Sequence, residues 1–168
     1  YNQQGAQQWL KTYDSGVNDE AYDVTMDRTG NVYVVGLSGN ESIIIKYKPD
    51  GDTLWVRKYT QPNYRFAVLS IALDGQNNVC LGGNRIHTTN CGQEYFAIKY
   101  DSNGVFQWVQ TTSFASLTSL ARIKTDLSGN VIVTGDTGGK IVTIKYSPSG
   151  VQQWQRLYDG PGTGGDQP

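Results

Sequence analysis

The chain has 168 residues, with 14 lysines and arginines against 15 aspartates and glutamates, one histidine and two cysteines. A net charge of −1 without a basic block excludes binding that depends on attraction to nucleic acid or to an anionic membrane. No apolar run approaches the ~20 residues of a membrane-spanning helix, so membrane insertion is not expected. A single histidine excludes a histidine-rich metal site. The 20 glycines, 11 tyrosines and 4 tryptophans favour strands and turns over helices.

Three short motifs recur in a fixed order along the chain. Gly-x-x-x-Trp ends at Trp9, Trp55, Trp108 and Trp154, and a Lys-Tyr pair precedes the last three copies. Asp-x-x-(Gly/Asn)-Asn-Val begins at Asp27, Asp74 and Asp126. We interpret these aspartates as turn residues, because an aspartate side chain accepts hydrogen bonds from its own following backbone. The repetition predicts an internally repeated, all-β chain.

The motifs divide the chain into consecutive units. Residues 1–18 are predicted to contain an outer strand of a preceding unit, over 5–13, and a link. Three units of four short antiparallel strands are then expected, over 19–59, over 60–111 with an inserted loop at 84–94, and over 112–158. Residues 159–168 are predicted to link the last unit to a following one. In the first unit the expected strands are 21–27, 31–37, 42–47 and 53–59, each bounded by turn residues.

A four-stranded unit of ~40–50 residues has the size of one blade of a β-propeller. Stacking blades buries both faces of each sheet, so Trp55, Trp108 and Trp154 are expected to pack between blades. Propellers close with about 4–8 blades, and three blades do not close. We therefore expect either a part of a larger propeller of about seven blades or copies that assemble into a ring or filament.

The motifs also resemble a known family. Asp-x-x-Gly-Asn-Val-Tyr-Val-Val-Gly over 27–36, Ile-Ile-Lys-Tyr over 44–47 and Gly-x-x-x-Trp-x-x-x-Tyr over 51–59 are similar to the SBBP-type β-propeller repeat of bacterial secreted and surface proteins. The resemblance covers nearly the whole chain and implies an extracellular, cell-surface or periplasmic location. The middle unit departs from the pattern at Asn77 and Cys80. A weaker similarity to quinoprotein-type propeller repeats implies a quinone enzyme as an alternative.

The loop at 84–94 is the main elaboration of the repeat. It is expected to project from the same side as the links between units, where Tyr64, Arg65, Arg85 and His87 would form a binding site, since loops on a rigid scaffold commonly carry binding residues. The alternative is a solvated loop without a role.

Four further residues are candidates for covalent modification. Cys80 and Cys91 would form a disulfide in an oxidising compartment, or Cys80 is a small buried core residue. Asn40 stands in an Asn-Glu-Ser glycosylation sequon, and Thr53 in an Asp-Thr-Leu sequence similar to a bacterial O-glycosylation motif. Neither a zinc site nor another metal site is expected.

The expected function is a non-enzymatic extracytoplasmic module that binds a protein or glycan or scaffolds a surface assembly, without a cofactor. Only His87 could serve a nucleophilic triad, and no Gly-x-Ser-x-Gly elbow accompanies it. Two alternatives remain. One is the propeller portion of a secreted or periplasmic enzyme, quinoprotein-like or glycan-active, whose catalytic residues lie outside this chain. The other is a structural protomer that stacks on copies of itself.

Overall fold

The computed structural model of the protein describes residues 1–114 and 118–160. Every regular element in those ranges is a β-strand, as the sequence predicts. The strands are β1 (Asp19–Met26), β2 (Val32–Ser38), β3 (Glu41–Tyr47), β4 (Thr53–Tyr59), β5 (Tyr64–Leu73), β6 (Val79–His87), β7 (Gln93–Tyr100), β8 (Phe106–Ser113), β9 (Thr118–Thr125), β10 (Val131–Thr137), β11 (Lys140–Tyr146) and β12 (Gln152–Tyr158). None of the described residues forms a helix that could cross a membrane.

The strands form three sheets, each of which is a four-stranded antiparallel meander. The first sheet has the order β1-β2-β3-β4, the middle sheet β5-β6-β7-β8 and the third sheet β9-β10-β11-β12. The predicted all-β class and the four-stranded antiparallel units are therefore confirmed. The strand bounds of the first unit agree with the prediction to within two residues. Of the predicted link over 159–168, residues 161–168 lie outside the described residues.

Residues 5–13, predicted as the outer strand of a preceding unit, form no strand with the described residues. The segment keeps the turn of the other repeats, because the Gly5 amide donates to the Asn2 carbonyl at 3.0 Å as the Gly51 amide does to Lys48. No strand follows that turn before Asp19. A strand requires a hydrogen-bonded neighbour, and among the described residues none forms a ladder with this segment.

The prediction of a projecting loop over 84–94 is wrong for most of its length. Strand β6 continues to His87 and β7 starts at Gln93, so only residues 88–92 form the turn. The additional residues pair, with Arg85 opposite Glu94 and Tyr64 opposite His87. The insertion therefore lengthens a hairpin, and Tyr64 lies in a strand rather than in a link.

The repeated aspartates close the first turn of each sheet, which confirms their interpretation as turn residues. Asp74 Oδ1 accepts from the amides of Gln76 at 2.9 Å and Asn78 at 3.0 Å. Asp27 and Asp126 accept from the equivalent amides. One carboxylate oxygen thus holds the backbone of each turn, and the other accepts from the side-chain amide of the turn asparagine.

In two of the sheets the same oxygen also contacts the lysine of the Lys-Tyr motif. Lys99 Nζ lies 2.9 Å from Asp74 Oδ2, and both side chains are almost fully buried. Lys145 makes the same 2.9 Å contact with Asp126. Burial raises the pKa of Asp74, but the Lys99 ammonium and the hydrogen bonds of the turn outweigh it, so this pKa lies below its ordinary value.

We expect Lys99→Met to lower the free energy of unfolding by about 3 kcal/mol at neutral pH, because it leaves a buried carboxylate without its cation. A carboxyl with a lowered pKa stabilises the fold above its ordinary pKa of 3.8 and loses that contribution as the pH falls through its folded-state pKa. The difference between the variant and the parent should therefore shrink in acid.

Urea denaturation across the acidic range would measure that difference. Lys145→Met is the matched control, since its ion pair is more exposed and should contribute less. Equal losses for both variants would contradict this account.

A contact between an indole and a glycine turn joins neighbouring sheets, and the segment before β1 makes the same contact with the first sheet. The indoles of Trp9, Trp55 and Trp108 lie against the turns at Gly51, Gly104 and Gly150. Each of these glycines has a positive φ, and a Cβ added at Gly51 or Gly150 would lie 2.8 or 2.9 Å from the indole. Only glycine provides both the backbone conformation and the space, so the Gly-x-x-x-Trp motif supplies both halves of the contact.

These contacts differ in whether the indole nitrogen donates a hydrogen bond. Trp108 Nε1 donates to the Pro148 carbonyl at 2.9 Å, and Trp9 makes the equivalent bond to Pro49 at 3.0 Å. Trp55 Nε1 is buried without a hydrogen-bond partner. The carbonyl at the equivalent position, Ser102, instead accepts from Lys46 Nζ at 3.0 Å.

We expect Trp108→Phe to reduce the free energy of unfolding by at least about 1 kcal/mol more than Trp55→Phe, since only the former leaves a carbonyl unpaired. Both changes remove the same atoms, so each is the control for the other. Urea unfolding followed by circular dichroism measures the difference. A larger loss at Trp55 would refute the role assigned to the Pro148 bond.

Candidate functional site

The structure brings three of the four predicted binding residues together at the end of the middle sheet. Tyr64 begins β5 and lies opposite His87, and Arg85 lies two residues before His87 on the same face of β6. Arg65 pairs with Ile86 and is exposed. Because side chains alternate across a strand, Arg65 points to the other face and is not part of this group.

Arg85 is the centre of the group, and its charge is neutralised within the protein. Its guanidinium lies 4.1 Å from the ring centroid of Tyr64, and its Nε donates to Glu94 Oε2 at 2.6 Å. A second guanidinium nitrogen donates to Gln61 Oε1. Arg85 is only 9% exposed, so it is a fixed support rather than a cation available to a ligand.

Glu94 and Gln61 are partners of Arg85 that the sequence did not reveal. Glu94 also accepts from the Ser113 hydroxyl at 2.9 Å, and Gln61 donates to the Tyr59 hydroxyl at 2.7 Å. Arg85 thereby ties the segment between the first two sheets to three strands of the middle sheet. The sequence contains a signal for Glu94, because Glu94 lies opposite Arg85 across a hairpin. The contact of Gln61 with Arg85 depends on the tertiary structure and has no such signal.

Charged pairs occupy the same end of the other two sheets. Lys58 lies 3.2 Å from Glu41 in the first sheet, and Lys140 lies 2.7 Å from Asp159 at the third. The three pairs nevertheless join different strands: β3 and β4 in the first sheet, β6 and β7 in the middle sheet, and β11 with the residue after β12 in the third. The buried position and the stacked tyrosine of the Arg85–Glu94 pair distinguish it from the more exposed pairs.

We call Tyr64 and His87 the aromatic shelf. Their rings meet edge to face with centroids 4.9 Å apart, and both side chains are half-buried. The Thr89 hydroxyl lies 2.9 Å from His87 Nδ1, and the Thr88 amide donates to the Asn63 carbonyl at 2.8 Å. The Thr88 bond fixes the turn, and the shelf combines a fixed apolar surface with the neighbouring Thr89 hydroxyl, which suits a ligand that is part apolar and part polar.

Both cysteines are free in the structure, so the disulfide alternative is wrong and the buried-cysteine alternative describes Cys80. Cys80 lies inside the middle sheet opposite Lys99, whereas Cys91 is exposed in the turn beyond the end of β6. Burial raises the pKa of the Cys80 thiol to about 12, with a smaller opposing effect from Lys99. Cys80 is therefore unreactive at neutral pH.

We expect a thiol reagent at pH 8 to modify one cysteine in the folded protein and two in denaturant. Cys91→Ser should abolish the reaction of the folded protein, because the remaining thiol is both buried and protonated. Titration with a chromogenic disulfide reagent gives the count directly. Two reactive thiols in the folded state, or none after denaturation without reductant, would contradict this assignment.

The two predicted glycosylation residues are accessible. Asn40 is exposed in the β2–β3 turn, where its carbonyl accepts from the Phe66 amide at 3.3 Å. Thr53 is exposed at the start of β4. Within the described part of the chain, no three histidine, cysteine, aspartate or glutamate side chains form a group that could hold a metal ion.

Comparisons with known proteins define the fold of the chain more than its role. No family model and no curated protein matches the sequence. Among solved structures, the chain is similar to a protein of unknown function from Bacteroides caccae, with 12% identity and a TM-score of 0.57 over 90% of this chain. The chain spans about half of that protein, 50% of its length.

A second structure, a luciferin-regenerating enzyme, matches 86% of this chain and 65% of its own chain, with 12% identity and a TM-score of 0.31.

Proposed function

We propose that the chain is a non-enzymatic β-propeller repeat module, outside the cytoplasm, that binds a protein or glycan partner at the aromatic shelf. The extracytoplasmic location is supported by the low charge of the chain, 17% charged residues, and by its resemblance to SBBP-type repeats. The three sheets correspond to three blades in this proposal, and residues 1–18 to the outer part of a preceding one.

The propeller arrangement is supported by the way the first strands of the sheets meet. The Ile71 amide of β5 donates to Asp23 Oδ2 of β1 at 3.0 Å. One sheet further on, the Ile123 amide of β9 donates to the Ser70 hydroxyl of β5 at 3.4 Å. Equivalent contacts between successive first strands place these strands side by side, as the innermost strands of propeller blades are placed around an axis.

The observation that carries the binding proposal is the immobilised aromatic shelf on the lengthened hairpin of the middle sheet. Strands β5 and β6 have 10 and 9 residues, against 8 and 7 for β1 and β2. The additional pairs carry Tyr64 and His87, and the Arg85 guanidinium packs on the Tyr64 ring. Aromatic side chains fixed before binding lose little conformational entropy when a ligand arrives.

A panel of defined glycans, immobilised as an array, tests the glycan form of this proposal. For the protein form, proteins detected in pull-down experiments are purified, and the affinity of each for the chain is then measured directly. We expect Tyr64→Ala and His87→Ala to weaken binding at least tenfold, which corresponds to about 1.4 kcal/mol.

Arg65→Ala is the matched control, because Arg65 is adjacent in sequence but lies on the opposite face of β5. It should leave the affinity unchanged. If both shelf variants bind every detected ligand as tightly as the parent, the shelf is not the binding site.

A further inference from the structure

The turn between β7 and β8 contains a chemically labile pair of residues. Asn103 stands directly before Gly104, and no other asparagine of the chain precedes a glycine. The backbone nitrogen that follows an asparagine can attack the side-chain carbonyl carbon, and glycine hinders this attack least because it has no Cβ. The equivalent turns of the first and third sheets have Asp50 and Ser149 before their glycines. The middle sheet is therefore the one whose indole-contacting turn carries a reactive amide.

The Asn103 side chain is available for this reaction. It is exposed, and among the described residues none forms a hydrogen bond with its amide group. The backbone amide of Asn103, in contrast, donates to Asp101 Oδ1 at 2.9 Å. The turn thus fixes the backbone of Asn103 and leaves its side chain free to rotate.

The attacking nitrogen is held in the closed turn. The Gly104 amide donates to the Asp101 carbonyl at 2.9 Å, and Gly104 is buried with a positive φ. A Cβ added at Gly104 would lie only 3.1 Å from the Trp55 indole. A nitrogen held in this way cannot approach the Asn103 side chain. The reaction therefore requires a local opening in which the turn leaves the indole.

Two cations of the first sheet point at the backbone of this turn. Lys46 Nζ donates to the Ser102 carbonyl at 3.0 Å, and Arg57 Nε donates to the Gly104 carbonyl at 2.7 Å. Another nitrogen of the Arg57 guanidinium lies 3.4 Å from the Asn103 carbonyl. Negative charge develops on the attacking nitrogen as it loses its proton, and a carboxylate forms in the product. Cations beside the turn favour both.

The reaction consumes one water and releases one ammonia. The Gly104 nitrogen loses its proton and bonds to the side-chain carbonyl carbon of Asn103, and the side-chain nitrogen leaves as ammonia with that proton. Water then opens the resulting succinimide ring at one of its two carbonyls. Opening at the side-chain carbonyl gives aspartate. Opening at the backbone carbonyl gives isoaspartate, in which the main chain runs through the former side chain and is one methylene longer.

From these observations we propose that Asn103 is a site of spontaneous deamidation, which proceeds when the Gly104 turn leaves the Trp55 indole. The aspartate product places a carboxylate beside the Arg57 guanidinium and lets the turn close again. The isoaspartate product lengthens the turn, so Gly104 cannot regain both its hydrogen bond to Asp101 and its contact with the indole. Deamidation to isoaspartate thereby loosens the interface between the first and middle sheets as the protein ages. The proposal does not depend on ligand binding at the aromatic shelf.

Incubation of the full chain in heavy-oxygen water, followed by tryptic digestion in ordinary water and mass spectrometry, tests the proposal. Asn103 is the only asparagine between Lys99 and Arg122, so its reaction appears as one heavy oxygen incorporated into that peptide. We expect rapid reaction of the protein unfolded in urea and much slower reaction of the folded protein, which reacts only through local opening.

We expect Trp55→Ala to raise the rate in the folded protein at least about tenfold, which corresponds to ~1.4 kcal/mol of easier opening. Trp108→Ala is the matched control, because it removes the equivalent indole from Gly150 together with a hydrogen bond. It should destabilise the protein at least as much and yet leave the rate at Asn103 near that of the parent. Circular dichroism verifies that both variants are folded, and the two phenylalanine variants replace them if they unfold.

The two products are compared by hydrogen exchange of the amides in 101–105. Asn103→Asp supplies the aspartate product directly, and ion-exchange chromatography of aged protein supplies the isoaspartate product. We expect the aspartate form to exchange as slowly as the parent and the isoaspartate form to exchange faster, because only the latter has a longer turn.

Three results would overturn the proposal. The first is a Trp55→Ala protein whose Asn103 reacts no faster than that of the folded parent. The second is an equal acceleration by Trp108→Ala, which would show that general destabilisation controls the reaction. The third is an isoaspartate form whose turn exchanges as slowly as that of the parent.

Discussion

The packing of an indole of one repeat on a positive-φ glycine turn of the next determines how the three sheets are arranged. A single four-stranded sheet leaves two faces in water, and the hydrogen bonds within it do not remove that cost. The contact at Trp55 and at Trp108 fixes the outer edge of each interface. The amides of Ile71 and Ile123 fix the inner edge through side-chain acceptors on the preceding first strand. Between these two edges lie the apolar clusters that bury the facing sides of the sheets.

The candidate site depends on this arrangement. Gln61 lies in the segment between the first and middle sheets, and it reaches Arg85 only because the two sheets are held at a fixed separation. Tyr59 of the first sheet supports Gln61 from the other side, and burial raises the pKa of that tyrosine. Arg85 then positions Tyr64 beside His87. An ion pair within the middle sheet thus supports an aromatic surface found on one sheet among those described.

The sequence predicts the class, the four-stranded units and the aspartate turns, because period-two strands and Asx turns are local properties. Residues 5–13 carry the same local signal as the other outer strands, but a strand also needs a neighbour, which no local pattern supplies. The insertion after Gly83 has a loop-like composition, yet its residues pair because β5 extends beside them. The buried Lys99–Asp74 pair escaped prediction because the two residues, although both recur in the repeat, are 25 positions apart in the chain. Of the four predicted site residues, Arg65 is separated from the others by strand alternation alone.

The central claim is that contacts between sheets, rather than hydrogen bonds within them, determine the stability of each sheet. Native-state hydrogen exchange followed by mass spectrometry tests it most directly, since all three sheets have four strands and the same topology. The middle sheet has both faces covered by other sheets, so amides around Leu81 and Ile98, which are fully buried, should exchange most slowly and only through global unfolding. The outer strand β12 of the third sheet should exchange fastest among the twelve strands. Equal protection in all three sheets, or slower exchange in the third sheet than in the middle one, would contradict the account.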